Sequence, residues 1–151
     1  MAMKFAVITP KLLLGPCPYD SEEFQHLKAE SVTAILSLLT SEDEAELGIR
    51  EIVEATKADL DYRNVAVNDF DDLDLKKKLP VCVEALDDLL KNGHKVYVHC
   101  TAGVTRSPTV VAAYLHWRLQ WSLAKALHHL RTRRQCWPRG DLIELATRPI
   151  R

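Results

Sequence analysis

The segment Val96-Tyr97-Val98-His99-Cys100-Thr101-Ala102-Gly103-Val104-Thr105-Arg106-Ser107-Pro108 constrains the fold more than any other part of the chain. Residues 95–99 read as a short, β-branched, buried strand. The strand runs into a tight loop containing Gly103, and the loop runs into a helix with Ser107 and Pro108 at its start. Proline is favoured in a first helical turn, where its missing N–H costs nothing. The rest of the chain repeats this alternation of strand and helix. Residues 5–8 and 11–14 read as short strands around Pro10, and Ser21 as the cap of a helix over residues 22–29. Residues 33–38 form an apolar strand. Ser41 and Glu44 have capping-box spacing at the head of a helical stretch that breaks at Gly48 and runs to about Ala58. Residues 62–67 alternate like a strand. Leu79, Val83, Leu86 and Leu90 share one face of a helix ending at Asn92-Gly93. Residues 107–119, 123–133 and about 141–147 complete the helices. The fold class predicted is α/β, with a central, mostly parallel (mixed) sheet flanked by helices.

The chain's 151 residues suit one domain, expected over residues 1–151. Its 20 basic residues are matched by 21 acidic ones, which argues against a nucleic-acid or membrane-surface partner. No apolar run is long enough to span a bilayer. Cys17, Cys82, Cys100 and Cys136 lie far apart with no CxxC pair. They read as reduced thiols of a cytoplasmic protein, without metal-ligand spacing. The protein is expected to act as a monomer.

In an α/β sheet, ligands bind outside the carboxyl ends of the strands, where His99-Cys100 falls. A loop wrapped at a helix N-terminus points backbone N–H groups into one concavity, to which the helix dipole adds positive charge. That geometry suits a phosphate dianion held by Thr101, Ala102, Gly103, Val104, Thr105 and Arg106. In such a cradle Cys100 is expected as a thiolate, the competent nucleophile. Arg106 presents a planar fork that grips two phosphoryl oxygens. A proton donor for the leaving oxygen is also required. Asp69, Asp71, Asp72 and Asp74, in one acidic stretch between a strand and a helix, are equal candidates on the sequence pattern alone.

The run HCTAGVTRSP resembles the signature of the protein tyrosine phosphatase superfamily, and the chain's size resembles its small dual-specificity branch. NDFDDLDLKKKLP, YVHCTAG and RRQCWPRGDLIELAT further resemble the catalytic domains of plant starch-type glucan phosphatases. The resemblance implies a two-step mechanism through a phosphocysteine, without metal or other cofactor. It places the general acid on Asp69. It assigns Ser107 the hydroxyl that steadies the Cys100 thiolate, and His99 the orientation of the loop. Phe70 resembles the aromatic lining that glucan phosphatases use against sugar rings, and Trp137 and Tyr19 could extend it.

Two substrate classes therefore stand open, phosphoprotein and phosphoglucan. Thr105 and Ser107 replace the glycine and alanine usual in the plant enzymes, and the stretch 41–48 lacks their aromatic near Leu47. Arg131, Arg133, Arg134 and Arg139 could attract either anion. Cys17, Cys82 and Cys136, and Trp117 and Trp121, read as packing residues, and His128 and His129 as surface residues. A non-catalytic phosphate-binding module or a rhodanese-like sulfurtransferase are the alternatives. The first is disfavoured because Cys100, Arg106 and the acid are all present. The second has no need of the acidic loop.

Overall fold

The computed structural model describes residues 4–146. Five short strands form one sheet: β1 Ala6–Thr9, β2 Leu12–Gly15, β3 Ala34–Ser37, β4 Asp61–Asn64 and β5 Val96–His99. Their spatial order is β1-β2-β5-β3-β4. β1 is antiparallel to β2 and every other pairing is parallel, so the sheet is mixed as expected. Seven helices accompany it among the described residues: α1 Ser21–Ala29, α2 Ser41–Leu47, α3 Arg50–Asp59, α4 Asp72–Lys91, α5 Arg106–Trp117, α6 Leu123–Arg133 and α7 Gly140–Leu145.

The central strands are buried on both faces, which is why they read as continuous apolar runs rather than alternating ones. Leu12, Leu14, Leu36, Val96 and Val98 point to one side and join the α4, α5 and α6 side chains in the main core. Leu13, Ile35 and Tyr97 point to the other and pack on Leu27 of α1. Register decides where the chemistry sits. Gly15 and Ser37 both pair with His99, so β2, β3 and β5 end at one level and their following loops converge.

Several sequence expectations shift at element ends. The N-cap of α1 is Asp20, one residue before Ser21, and its carboxylate accepts from the Glu23 N–H at 2.9 Å. The capping box of α2 is Thr40 with Asp43, not Ser41 with Glu44: Thr40 Oγ1 accepts from Asp43 N and Asp43 Oδ2 accepts from Thr40 N. Strand β4 stops at Asn64, short of residue 67, because Asn64 Nδ2 and Val67 N turn onto the carbonyls of Ser37, the last residue of β3, and of Leu38 and Leu39 after it. Helix α4 begins at Asp72, well before Leu79. Pro80 sits inside it and forgoes one intrahelical bond. Helix α5 starts at Arg106 and ends at Trp117, and α7 ends at Leu145; Thr147 lies outside the described residues. His129 is not a surface residue: its Nε2 bonds the Ile8 carbonyl at 2.8 Å and its ring meets Trp121 edge-on.

Candidate active site

Cys100 follows β5 directly, and residues 101–105 curl round to Arg106, the first residue of α5. What fixes the curl is the fate of its carbonyls. The Cys100 carbonyl bonds His99 Nδ1 at 3.0 Å, and the Thr101 carbonyl accepts from Cys17 N at 3.0 Å. Arg134 donates to the Ala102 and Gly103 carbonyls at 2.7 and 2.9 Å. The Val104 carbonyl accepts from Trp137 N at 2.7 Å, and that of Thr105 from the Thr109 hydroxyl at 2.7 Å. Every carbonyl of the loop is thus drawn outward. Among the described residues the N–H groups of residues 101–105 meet no protein acceptor. A ring of such N–H groups around a cysteine suits an anion. Gly103 is required in it, with φ +70°, and a Cβ there would lie 2.6 Å from the Gly15 backbone.

Cys100 is 3% exposed, and its Sγ lies 3.2 Å from the Ser107 hydroxyl. Arg106 is equally buried. Its Nη1 donates to Asp43 Oδ2 and to the Val67 carbonyl, each at 2.8 Å, and its Nη2 to Thr101 Oγ1 at 2.9 Å. Its Nε stands 3.3 Å from Asp69 Oδ1. The first turn of α2 and the segments that follow β4 and β5 therefore meet on one guanidinium. Burial pushes the Asp43 carboxyl up, but the bonds from Arg106 and Thr40 together with the arginine's charge outweigh it, and the net direction is down. Burial, helped by the Arg106 charge and opposed by the bond to the Cys100 carbonyl, holds His99 down at about 4. The ring is neutral at neutral pH and donates from Nδ1 to the Cys100 carbonyl.

The acidic stretch divides by role. Asp71 caps α4 by accepting from Asp74 N, and Asp74 accepts from Asn68 N and Lys78 Nζ. Asp72 pairs with Arg139. Asp69 alone of the four reaches the Cys100–Arg106 loop. Phe70 beside it has φ +57° and is 99% exposed. A left-handed backbone costs a β-carbon residue about 1–2 kcal/mol, and no buried contact of the ring explains why an aromatic is held there.

Trp137 and Tyr19 are exposed, whereas Trp117 is buried and Trp121 half-buried. Cys17, Cys82 and Cys136 are free and buried, as packing residues should be. Burial pushes the thiols of Cys17 and Cys82 up to about 12. Of the arginine cluster, Arg139 is committed to Asp72 and Asp141, and Arg134 to loop carbonyls and the Lys4 carbonyl. The contacts of two residues at the site went unread in the sequence, Asp43 altogether and Arg134 beyond its membership of the arginine cluster. Asp43 had a signal, the Thr40-x-x-Asp43 spacing, but its arginine partner lies far away in the chain. Arg134 had none, since a charged residue after an amphipathic helix usually faces water.

The chain matches the family described as "Dual specificity phosphatase, catalytic domain" over residues 14–143. It belongs to that family. It is 35% identical to the chloroplastic phosphoglucan phosphatase LSF1 of Arabidopsis thaliana over 97% of this chain and 25% of that protein. It is 33% identical to the amyloplastic phosphoglucan phosphatase DSP4 of Castanea sativa over 99% of this chain and 41% of that one. The chain thus spans a quarter to two-fifths of the length of these relatives. Among solved structures, Cydia pomonella PTP-2 phosphatase superposes with a TM-score of 0.77 at 25% identity, covering 95% of this chain and 88% of that one. The mixed sheet with flanking helices is therefore the dual-specificity phosphatase fold. Among the described residues no helix is long and apolar enough to cross a membrane, and no three His, Cys, Asp or Glu side chains are grouped as metal ligands.

Proposed function

We propose that the protein hydrolyses phosphomonoesters through a phosphocysteine on Cys100, with phosphoglucan as its substrate. The observation that carries the reaction is the loop of residues 101–105, whose carbonyls are all held outward around Cys100 and Arg106. The phosphoryl group sits on the loop N–H groups and on the Nε/Nη2 edge of Arg106, while Nη1 stays anchored on Asp43 and Val67. The Cys100 thiolate attacks phosphorus, the S–P bond forms, and the P–O bond to the leaving group breaks. Asp69 gives its proton to the departing oxygen. Water then attacks the phosphocysteine, Asp69 takes the water's proton, and the S–P bond breaks. Ser107 Oγ, 3.2 Å from Sγ, donates to the thiolate as it leaves. His99 holds the loop and transfers no proton.

Exposed Phe70 and Trp137, with Tyr19, favour sugar rings, because flat aromatic faces left in water beside a phosphate cradle offer stacking surface. The phosphoprotein reading rests on Thr105 and Ser107 in the loop and on α2, which presents no aromatic residue. The four free cysteines favour a reducing compartment, and the cytoplasm is the one expected. The plastid addresses in the two relatives' names belong to those proteins.

The test is phosphate release by the wild type and Cys100→Ser from phosphorylated amylopectin, a phosphotyrosine peptide and a small aryl phosphate. The wild type should act on the glucan and the aryl ester, and the variant on neither. Release from peptide but not glucan would overturn the substrate reading. Asp69→Ala should slow the glucan far more than an activated aryl phosphate, whose leaving group needs no proton; equal small effects would move the acid elsewhere in the loop.

A further inference from the structure

The segment Trp137-Pro138-Arg139 touches both of the loops that carry the proposed chemistry. On one side its backbone holds the Cys100 loop. Trp137 N donates to the Val104 carbonyl at 2.7 Å. Arg139 N donates at 2.9 Å to the Thr109 hydroxyl, which itself donates to the Thr105 carbonyl at 2.7 Å. Buried Pro138 fixes the backbone between those two donors. Gly140 then lets α7 start close against α6, where a Cβ would stand 2.8 Å from Leu127 Cδ1. On the other side the Arg139 guanidinium reaches the acid loop. Nη1 and Nη2 donate to the two carboxylate oxygens of Asp72 at 2.8 and 3.1 Å, while Nε and Nη2 hold Asp141 at 3.0 and 2.9 Å.

Asp72 is the first residue of α4 and stands three positions after Asp69. The upstream end of the acid loop is tied as well. Lys78 Nζ donates to the Ala66 carbonyl at 2.6 Å, and Asn68 N donates to Asp74 at 2.8 Å. Asp71, which accepts from Asp74 N, closes the downstream end. Between these ties lie Asp69 and Phe70, and Phe70 carries the left-handed φ of +57°. A carboxyl on so short a span has its reach set by where the two ends are held.

We infer that Arg139 is a positioning residue for proton transfer: by clasping Asp72 it fixes the start of α4 relative to the Cys100 loop, so that Asp69 meets the leaving oxygen. The inference rests on the reading of Asp69 as general acid and deepens it. An acid works only within hydrogen-bond reach of the oxygen it protonates, and small displacements are costly in rate. A planar guanidinium on both oxygens of a carboxylate fixes orientation as well as distance. The side chains of Arg139 and Asp72 are 33% and 59% exposed, so the pair adds little to stability. Its loss should show in one chemical step more than in the melting temperature.

The test compares kcat/KM for two esters that differ in their leaving groups. p-Nitrophenyl phosphate releases a stable phenolate that needs no proton, whereas phenyl phosphate depends on the acid. A general acid supplies roughly 10²–10⁴-fold, of which Arg139→Gln should forfeit about five- to tenfold on phenyl phosphate and less than about twofold on the nitro ester. The ratio between the esters is independent of the folded fraction, so a loss of stability cannot imitate this result. Asp72→Asn should behave alike, and the double variant should be no worse than either, because one contact is being removed twice. Arg139→Lys, a point charge without the fork, should fall between the wild type and Arg139→Gln. Asp69→Ala runs alongside and should lose far more on phenyl phosphate than on the nitro ester. If it does, the inference alone is overturned by an Arg139→Gln that slows both esters equally or neither, or by losses at Asp72 and Arg139 that add. If Asp69→Ala itself slows both esters alike, the acid reading falls, and this inference with it.

Discussion

Acid should loosen this fold well before its carboxylates titrate, because His99 is buried neutral. Its ordinary value of 6.5 falls to about 4 in the folded chain. Between those values the unfolded chain binds a proton that the folded chain refuses. The folded value lies below the unfolded one, so the stability is fully present above 6.5 and is lost as pH falls towards 4. At about 1.36 kcal/mol per unit the complete loss is roughly 3 kcal/mol, of which about 2 kcal/mol is reached at about pH 5. For a chain of this length that lowers the melting temperature by about 4–8 °C between about pH 8 and about pH 5. Asp43, Asp74 and Asp141 are also lowered, from 3.8, so their contributions fade only below about pH 4 and leave the upper window to the histidines. Thermal unfolding followed by circular dichroism across this range, in the wild type and His99→Gln, makes the comparison. The glutamine amide can still donate to the Cys100 carbonyl but cannot take up a proton. The wild-type curve should slope and the variant's should flatten by those 4–8 °C. Equal slopes in the two proteins, or a wild type that melts at one temperature throughout, would refute the reasoning.

Asp43→Asn keeps an acceptor for Thr40 N and Arg106 but removes the charge. It should cost about 1 kcal/mol of stability, the difference between a charge-assisted and a neutral bond, and lower kcat about tenfold with KM little changed. A raised KM with kcat intact would show that Asp43 acts on substrate affinity instead of on the pose of Arg106. Gly103→Ala should reduce kcat/KM at least tenfold, because a left-handed residue with a Cβ 2.6 Å from the Gly15 backbone must displace the loop. Activity within twofold of wild type would mean the loop tolerates that shift.

The parts of the fold legible in the sequence were those decided locally. The strand 96–99 and helix 123–133 announce themselves by apolar run and by period, and the loop between Cys100 and Arg106 by glycine, arginine and the proline after it. Element ends were harder to place where a side chain not adjacent in sequence decides them. The Asn64 amide ends β4 by reaching carbonyls at and just beyond the end of β3, and the choice between Thr40 and Ser41 as a cap turns on which hydroxyl the backbone of residue 43 meets. Asp69 could not be told from Asp71, Asp72 and Asp74 by pattern, because all four are acids in one loop. Their difference lies in what stands opposite: the Asn68, Asp74 and Lys78 groups and Arg139 engage three of them, while the fourth meets Arg106 and the N–H of its neighbour Phe70.

Arg106 shows what the three-dimensional arrangement adds to the motif. A guanidinium has five N–H groups. Two on Nη1 are held by Asp43 and Val67, one on Nη2 by Thr101, and Nε faces Asp69 at 3.3 Å. One donor on Nη2 is left, whereas a two-point grip on phosphate needs Nε as well. The contact that must yield is the one to Asp69, since it is the longest of the four and occupies Nε. In the proposed mechanism a phosphate dianion arriving on the loop N–H groups takes the place of the Asp69 side chain on Nε, and Asp69, carrying the proton it gives up, turns towards the leaving oxygen. Asp43 and Val67 meanwhile keep Nη1 still, so the fork need not reorient. The same contacts that close the site on itself at rest thus leave a single, defined movement between the resting arrangement and the reactive one.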